Sequence, residues 1–117
     1  MTPTIVEKEG DLYMTLGTPG GSTIITSVVQ TILNVHEFKM TMNEAVNSPR
    51  FHHQWKPDSI RIEIDYFDKK VKKQLINSGY KLNDKGAIGR VDGILVRDDK
   101  MLEGGADKRG DDTAVGF

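Results

Sequence analysis

"GTPGGSTIITSVVQTILNV", Gly17 to Val35, decides how this chain is read. Its first six residues carry three glycines and a proline, a composition that is costly to order and that marks a loop. The remainder is helical in pattern. Ile24, Val28 and Ile32 recur four residues apart, and Ile25, Val29 and Leu33 run beside them, so all six share one broad helical face. The β-branched residues on that face predict burial against a sheet. Ser22 or Thr23 is placed to cap the helix, which should end between His36 and Lys39.

Upstream, Thr4–Glu7 and Leu12–Leu16 read as strands joined by a turn at Glu9, Gly10 and Asp11, so the chain enters the glycine loop from a hairpin. Downstream, Thr41 with Glu44 three residues on has capping-box spacing for a helix reaching Asn47, and Pro49 stops it by keeping Ser48 out of the helical region. Arg50–Asp58 reads as irregular. Ile60–Ile64 alternates as a half-buried strand with Ile60, Ile62 and Ile64 on its apolar face. Asp68–Ser78 is an amphipathic helix carrying Val71, Leu75 and Ile76, closed by Gly79. Leu82, Ala87–Val96, Met101–Glu103 and Ala114–Phe117 supply further strands, with a turn at Asp98, Asp99 and Lys100. The order predicts an α/β chain of the layered α+β kind with antiparallel sheet pairing, not the regular alternation of a dinucleotide-binding fold.

A chain of 117 residues suffices for one compact domain, 1–117. With a net charge of −1 and its Lys and Arg residues dispersed, it offers no basic patch, so no nucleic-acid partner is expected. A hydrophobic share of 37% with 12 glycines is low for a self-sufficient domain, which predicts that part of the core is supplied from outside these residues. Cysteine is absent, excluding disulfides, thiolate metal sites and a cysteine nucleophile. No apolar run approaches the ~20 residues of a membrane span, and no signal-peptide core follows Met1.

For the glycine loop three readings stand: a tight strand-to-helix turn, an anion site at a helix start, or a pair of backbone amides approaching a reacting carbonyl. Its spacing is neither of the two nucleotide-binding glycine patterns, and no lysine follows. His52 and His53 are adjacent, with only His36 and scattered carboxylates as further ligands, so ordinary packing and hydrogen bonding beside Trp55 are expected and no metal site. Asp107, Arg109, Asp111 and Asp112 read as a solvated, charged turn.

Four segments together resemble the γ-glutamyltranspeptidase (glutathione hydrolase) family: "MTPTIV" from Met1, the glycine loop with its helix, "MNEAVNSPRFHHQW" from Met42, and "GGADKRGDDTAVGF" from Gly104. The resemblance spans the whole chain and implies the C-terminal part of that family's small subunit, within a four-layer αββα N-terminal-nucleophile hydrolase. It implies that the threonine nucleophile, a serine pair and the arginine gripping the substrate carboxylate all lie outside these residues, in the large subunit and the N-terminal part of the small one. Neither Thr2 nor Thr4 corresponds to the nucleophile.

By the same resemblance, Gly20 and Gly21 are the catalytic backbone oxyanion hole, with Thr18 standing where many relatives carry serine. Replacing Gly20 by proline would then delete one donor. No cofactor is implied. The expected substrate is a glutathione-like γ-glutamyl amide, and the expected compartment is periplasmic or secreted. The isolated chain is expected to be inactive and to self-associate. The rival readings are a related amidohydrolase acting on β-lactam side chains or poly-γ-glutamate, and a non-catalytic binding module.

Overall fold

The computed structural model describes residues 3–63, 67–84 and 86–116. In chain order its elements are β1 (Thr4–Lys8), β2 (Asp11–Gly17), a single 3₁₀ turn (Gly21–Thr23), α1 (Ile24–His36), α2 (Met42–Asn47), β3 (Phe51–His52), β4 (Ile60–Ile62), α3 (Lys69–Asn77), β5 (Leu82–Asp84), β6 (Asp92–Val96) and β7 (Leu102–Gly105). They fall into two compact units, one of residues 1–48 with 89–117 and one of residues 49–88.

The first unit is built on a four-stranded antiparallel sheet in the order β1-β2-β6-β7. The β1–β2 hairpin turns through Glu9 and Gly10, both at positive φ (55° and 87°), the backbone that a two-residue loop requires. Alternation along β2 sends Met14 and Leu16 inward, where Val28, Val35, Met42, Ala45, Val46, Val91 and Leu95 complete the core. Gly93 and Gly105 face each other across β6 and β7, and a Cβ on Gly105 would lie 2.7 Å from the Met42 carbonyl oxygen. Their missing side chains let the start of α2 lie directly on the sheet.

The capping box of α2 forms as expected. Glu44 N–H donates to Thr41 Oγ1 at 3.1 Å, and Thr41 N–H returns a bond to Glu44 Oε2 at 2.9 Å. The bond from Thr41 N–H, and after it the one that the Thr41 hydroxyl donates to the same Oε2 at 3.0 Å, hold the Glu44 carboxyl below its ordinary pKa. The Glu103 carboxylate adds a bond from Met42 N–H at the same helix start.

The second unit pairs β3 with β4 antiparallel and β4 with β5 parallel, with α3 as the connection between the parallel strands. Ile62 and Ile88 are buried, together with Arg50 and Glu63. Glu63 accepts from the backbone amides of Arg50 (2.9 Å) and Ile88 (2.8 Å), while Arg50 Nη1 donates to the Ile88 carbonyl at 2.9 Å. Asp68 caps α3 by accepting from Lys70 N–H, and Gly79 follows its end at φ 91°.

Several expectations are corrected. Phe51 and His52 form a strand inside the stretch read as irregular, because β4 offers them a ladder. The β4–β5 pair is parallel, not antiparallel. The run from Ala87 is not strand until Asp92, since Gly89 sits at φ 66° and breaks the extended backbone. Ala114 to Gly116 pair with no strand, while Ile64 and Phe117 lie outside the described residues.

The largest correction concerns α1. Half of the expected face holds, with Val28 buried and Ile24 and Ile32 packed against the core beside Ser27, Thr31 and Val35, whereas Ile25 (74%), Val29 (48%) and Leu33 (43%) are exposed. Gly89 accounts for the small polar residue at position 27. A Cβ on Gly89 would lie 2.6 Å from Ser27 Oγ, so backbone and helix approach too closely for a bulky residue at that position.

Candidate functional site

The glycine loop leaves the end of β2 and enters α1 through the 3₁₀ turn. Thr18 is fully buried, whereas Pro19, Gly20, Gly21 and Ser22 are exposed. Gly20 adopts φ 141° and Gly21 φ 58°. A Cβ on Gly20 would lie 2.6 Å from Thr23 Oγ1, so space and backbone both demand glycine there. Proline fixes φ near −65°, so Gly20→Pro would rebuild the loop rather than merely remove one N–H.

Two threonines hold the loop's carbonyls. Thr18 Oγ1 donates to the Pro19 carbonyl at 2.6 Å and accepts from Arg90 N–H at 2.8 Å. Thr23 occupies the N-cap position of α1, yet its hydroxyl caps nothing ahead of it. It turns back and donates to the Gly20 carbonyl at 2.9 Å, alongside Thr23 N–H at 3.2 Å. Both peptide units are trans, so each N–H points opposite to its engaged carbonyl. Among the described residues neither the Gly20 nor the Gly21 N–H donates a hydrogen bond. The arrangement therefore presents two consecutive exposed amides on a backbone held from behind, which can donate to an anionic oxygen.

The C-terminal charged segment is not uniformly solvated. Asp107 is fully buried and accepts from Val91 N–H (2.8 Å), Arg109 N–H (3.0 Å) and Arg109 Nη1 (2.9 Å). The Arg109 guanidinium, also buried, donates to the carbonyls of Val46 (3.1 Å) and Ser48 (2.9 Å) where α2 ends. Only Asp111 and Asp112 behave as the solvated reading expected, pairing with Arg90 at 3.7 and 3.1 Å. No local pattern marks Asp107 for burial, because its donors lie elsewhere in the chain or on the buried Arg109.

His52 is buried and its Nε2 meets Gln54 Oε1 at 2.9 Å. His53 faces Asp58 at 3.4 Å. Trp55 is exposed, with Lys56 Nζ 4.7 Å from its ring centroid. His53 Nδ1 also accepts from Trp55 N–H at 3.4 Å, so the expected packing and hydrogen bonding form, with the Trp55 ring itself exposed. Among the described residues no group of three potential ligands could hold a metal ion.

A family model described as gamma-glutamyltranspeptidase matches residues 1–117. The chain belongs to the γ-glutamyltranspeptidase family. It is 42% identical over 118 residues to the glutathione hydrolase proenzyme of Escherichia coli K12, covering all of this chain and 20% of that protein. Its fold superposes on the W525D mutant of γ-glutamyltranspeptidase from Pseudomonas nitroreducens with a TM-score of 0.90 at 38% identity, covering the whole of this chain and 61% of that one. An acivicin-inhibited γ-glutamyltranspeptidase, described for the critical roles of its C-terminus in autoprocessing and catalysis, matches with a TM-score of 0.89 at 42% identity over 95% of this chain and 61% of its own. The mixed α/β architecture around an antiparallel sheet is thus that of the N-terminal-nucleophile hydrolases. The chain spans about a fifth of the length of the curated γ-glutamyltranspeptidase relatives it matches.

Proposed function

We propose that these 117 residues supply the oxyanion-binding loop for γ-glutamyl transfer, acting with the family length they do not span. A hydroxyl nucleophile from that remaining length attacks the γ-carbonyl of a glutathione-like amide. The carbonyl oxygen gains the electron pair and becomes an oxyanion, which Gly20 and Gly21 N–H stabilise. Collapse breaks the C–N bond, expels the amine with the proton that the hydroxyl gave up, and leaves a γ-glutamyl ester, which water or an acceptor amine then cleaves to restore the hydroxyl. The observation that carries this reading is the pair of adjacent, exposed amides without a partner among the described residues, on a loop whose carbonyls are already bonded.

Backbone donors suit the task because they are preorganised and cost no rearrangement as charge develops; losing one typically lowers the rate ~10²–10³-fold. The test is an amide-to-ester replacement at residue 20 in the complete enzyme, exchanging N–H for O without touching any side chain. A fall in kcat of that order with KM little changed is expected for γ-glutamyl anilide hydrolysis. A kcat within about twofold of the parent would overturn the oxyanion role.

The partner in this proposal is the large subunit together with the N-terminal part of the small one. The exposed stripe Ile25, Val29 and Leu33, and the exposed Ile94, Met101 and Leu102 around β6 and β7, support it as surfaces for that partner to cover. Alone, the chain should self-associate through those surfaces and hydrolyse no γ-glutamyl amide. A monodisperse monomer in light scattering would count against the first expectation, and turnover by the purified chain against the second. A periplasmic or secreted location belongs to the same reading through the family resemblance; no helix among the described residues is long and apolar enough to cross a membrane.

A further inference from the structure

Each of the two amides assigned above belongs to a peptide group whose carbonyl is held by a threonine hydroxyl. The N–H of Gly20 shares its peptide plane with the Pro19 carbonyl, which accepts from Thr18 Oγ1 at 2.6 Å. The N–H of Gly21 shares its plane with the Gly20 carbonyl, which accepts from Thr23 Oγ1 at 2.9 Å. Both threonines are buried, Thr18 completely and Thr23 at 5% exposure, and both bonds are part-buried. We infer that Thr18 and Thr23 are positioning residues for the oxyanion donors, one hydroxyl to each amide.

Two physical effects follow from that pairing. A planar peptide bonded at its oxygen cannot rotate about its flanking dihedrals without breaking the bond, which fixes the direction of the N–H on its far side. A bond to the carbonyl also polarises the same amide, making its N–H a better donor, as in any hydrogen-bonded chain. Thr18 is itself held by Arg90 N–H at 2.8 Å, on a segment whose Gly89 Cα would lie 3.6 Å from a Cβ on Gly20. The backing is therefore continuous from the segment before β6 to the first donor. Thr23 needs no such support, since its own N–H and hydroxyl both reach the Gly20 carbonyl.

This inference rests on the oxyanion reading, and the experiment separates the two. In the complete enzyme, Thr18→Val and Thr23→Val remove the hydroxyls at nearly constant volume, and Thr18→Ser and Thr23→Ser retain them. Each valine variant should lower kcat about 10-fold with KM within about twofold, and each serine variant should restore kcat to within about twofold of the parent. The decisive arm combines these changes with the ester at residue 20. Thr18→Val should then cost nothing further, because the N–H it serves is gone, whereas Thr23→Val should still lower kcat through Gly21.

A slow ester variant with valine variants at the parental rate would overturn the positioning role and leave the oxyanion reading intact. An ester variant at the parental rate would overturn both. Equal losses from Thr18→Val with and without the ester would show a general structural effect and overturn the pairing. If Thr18→Val fails to fold because it leaves Arg90 N–H without an acceptor, the Thr23 pair alone decides. Thr23→Val leaves the bond from its own N–H in place, so a parental kcat in that variant would overturn the inference.

Discussion

Replacing Asp107 by alanine removes one carboxylate and strands at least two donors in the interior. The carboxylate takes bonds from Val91 N–H at 2.8 Å, Arg109 N–H at 3.0 Å and Arg109 Nη1 at 2.9 Å, with no exposure of its own. Breaking a buried ion pair by deleting one partner costs about 3–5 kcal/mol, because the remaining charge stays desolvated. Here the Val46 and Ser48 carbonyls still accept from Arg109, which argues for the lower end. The unpaired Val91 N–H adds about 1–3 kcal/mol.

A loss near 4 kcal/mol is a large part of the ~5–15 kcal/mol that holds a typical domain together. Urea unfolding of the 117-residue chain, followed by far-UV circular dichroism, should show the midpoint fall with the slope unchanged. Asp111→Ala is the control, since that side chain is 98% exposed and its change should stay within about 0.5 kcal/mol. The double variant Asp107→Ala/Arg109→Met should be more stable than Asp107→Ala alone, because no unbalanced charge remains inside. A loss below 1 kcal/mol for Asp107→Ala, or a double variant worse than either single one, would refute the account.

Thr41→Ala should cost about 1 kcal/mol through loss of the α2 cap, measured by the same unfolding experiment. Glu44→Gln, which removes the titrating carboxyl, should flatten the acid limb of the stability curve. Glu44 has a lowered folded pKa, so its stabilisation is complete above the ordinary carboxylate range near 4.5 and fades as pH falls through the folded value. An acid limb identical in parent and variant would contradict the assigned cause. Gly105→Ala should cost about 1–3 kcal/mol, since its Cβ would meet the Met42 carbonyl oxygen at 2.7 Å and push α2 off the sheet. Hydrogen exchange at the start of α2 should report the displacement, and unchanged protection there would rule it out.

What the sequence made legible was local. The Glu9-Gly10 hairpin, the Thr41–Glu44 capping box and the Gly79 helix end each depend on a few consecutive residues, and each formed as read. The glycine loop was legible as a strand-to-helix junction, and resemblance was needed to choose among its uses. What stayed hidden was non-local. Periodicity shows which residues of α1 share a face, but not that Ile24, Val28 and Ile32 meet this chain's own core while Ile25, Val29 and Leu33 stay exposed. Ser27 lies on the buried side where Gly89, sixty-two positions away, approaches it. Asp107 was misread for the same reason. A carboxylate beside an arginine in a glycine-rich stretch reads as solvated until Val91 N–H and the end of α2 are brought to it.

Under the proposed oxyanion role, the hydrogen bonds behind the loop explain how so glycine-rich a segment can present fixed donors. Glycine at residues 20 and 21 permits the positive φ values and keeps side chains away from the exposed amides, but it supplies no stiffness. Stiffness has to come from the carbonyl side. Thr18 and Thr23 provide it directly, and Arg90 N–H holds Thr18. The next amide along, Val91 N–H, is held by Asp107, which Arg109 in turn ties to the end of α2. Two adjacent backbone amides thus join the glycine loop on one side to the C-terminal segment on the other. Each link is a backbone group or a buried polar side chain, so the loop can be both free of side chains where it faces outward and rigid where it faces in.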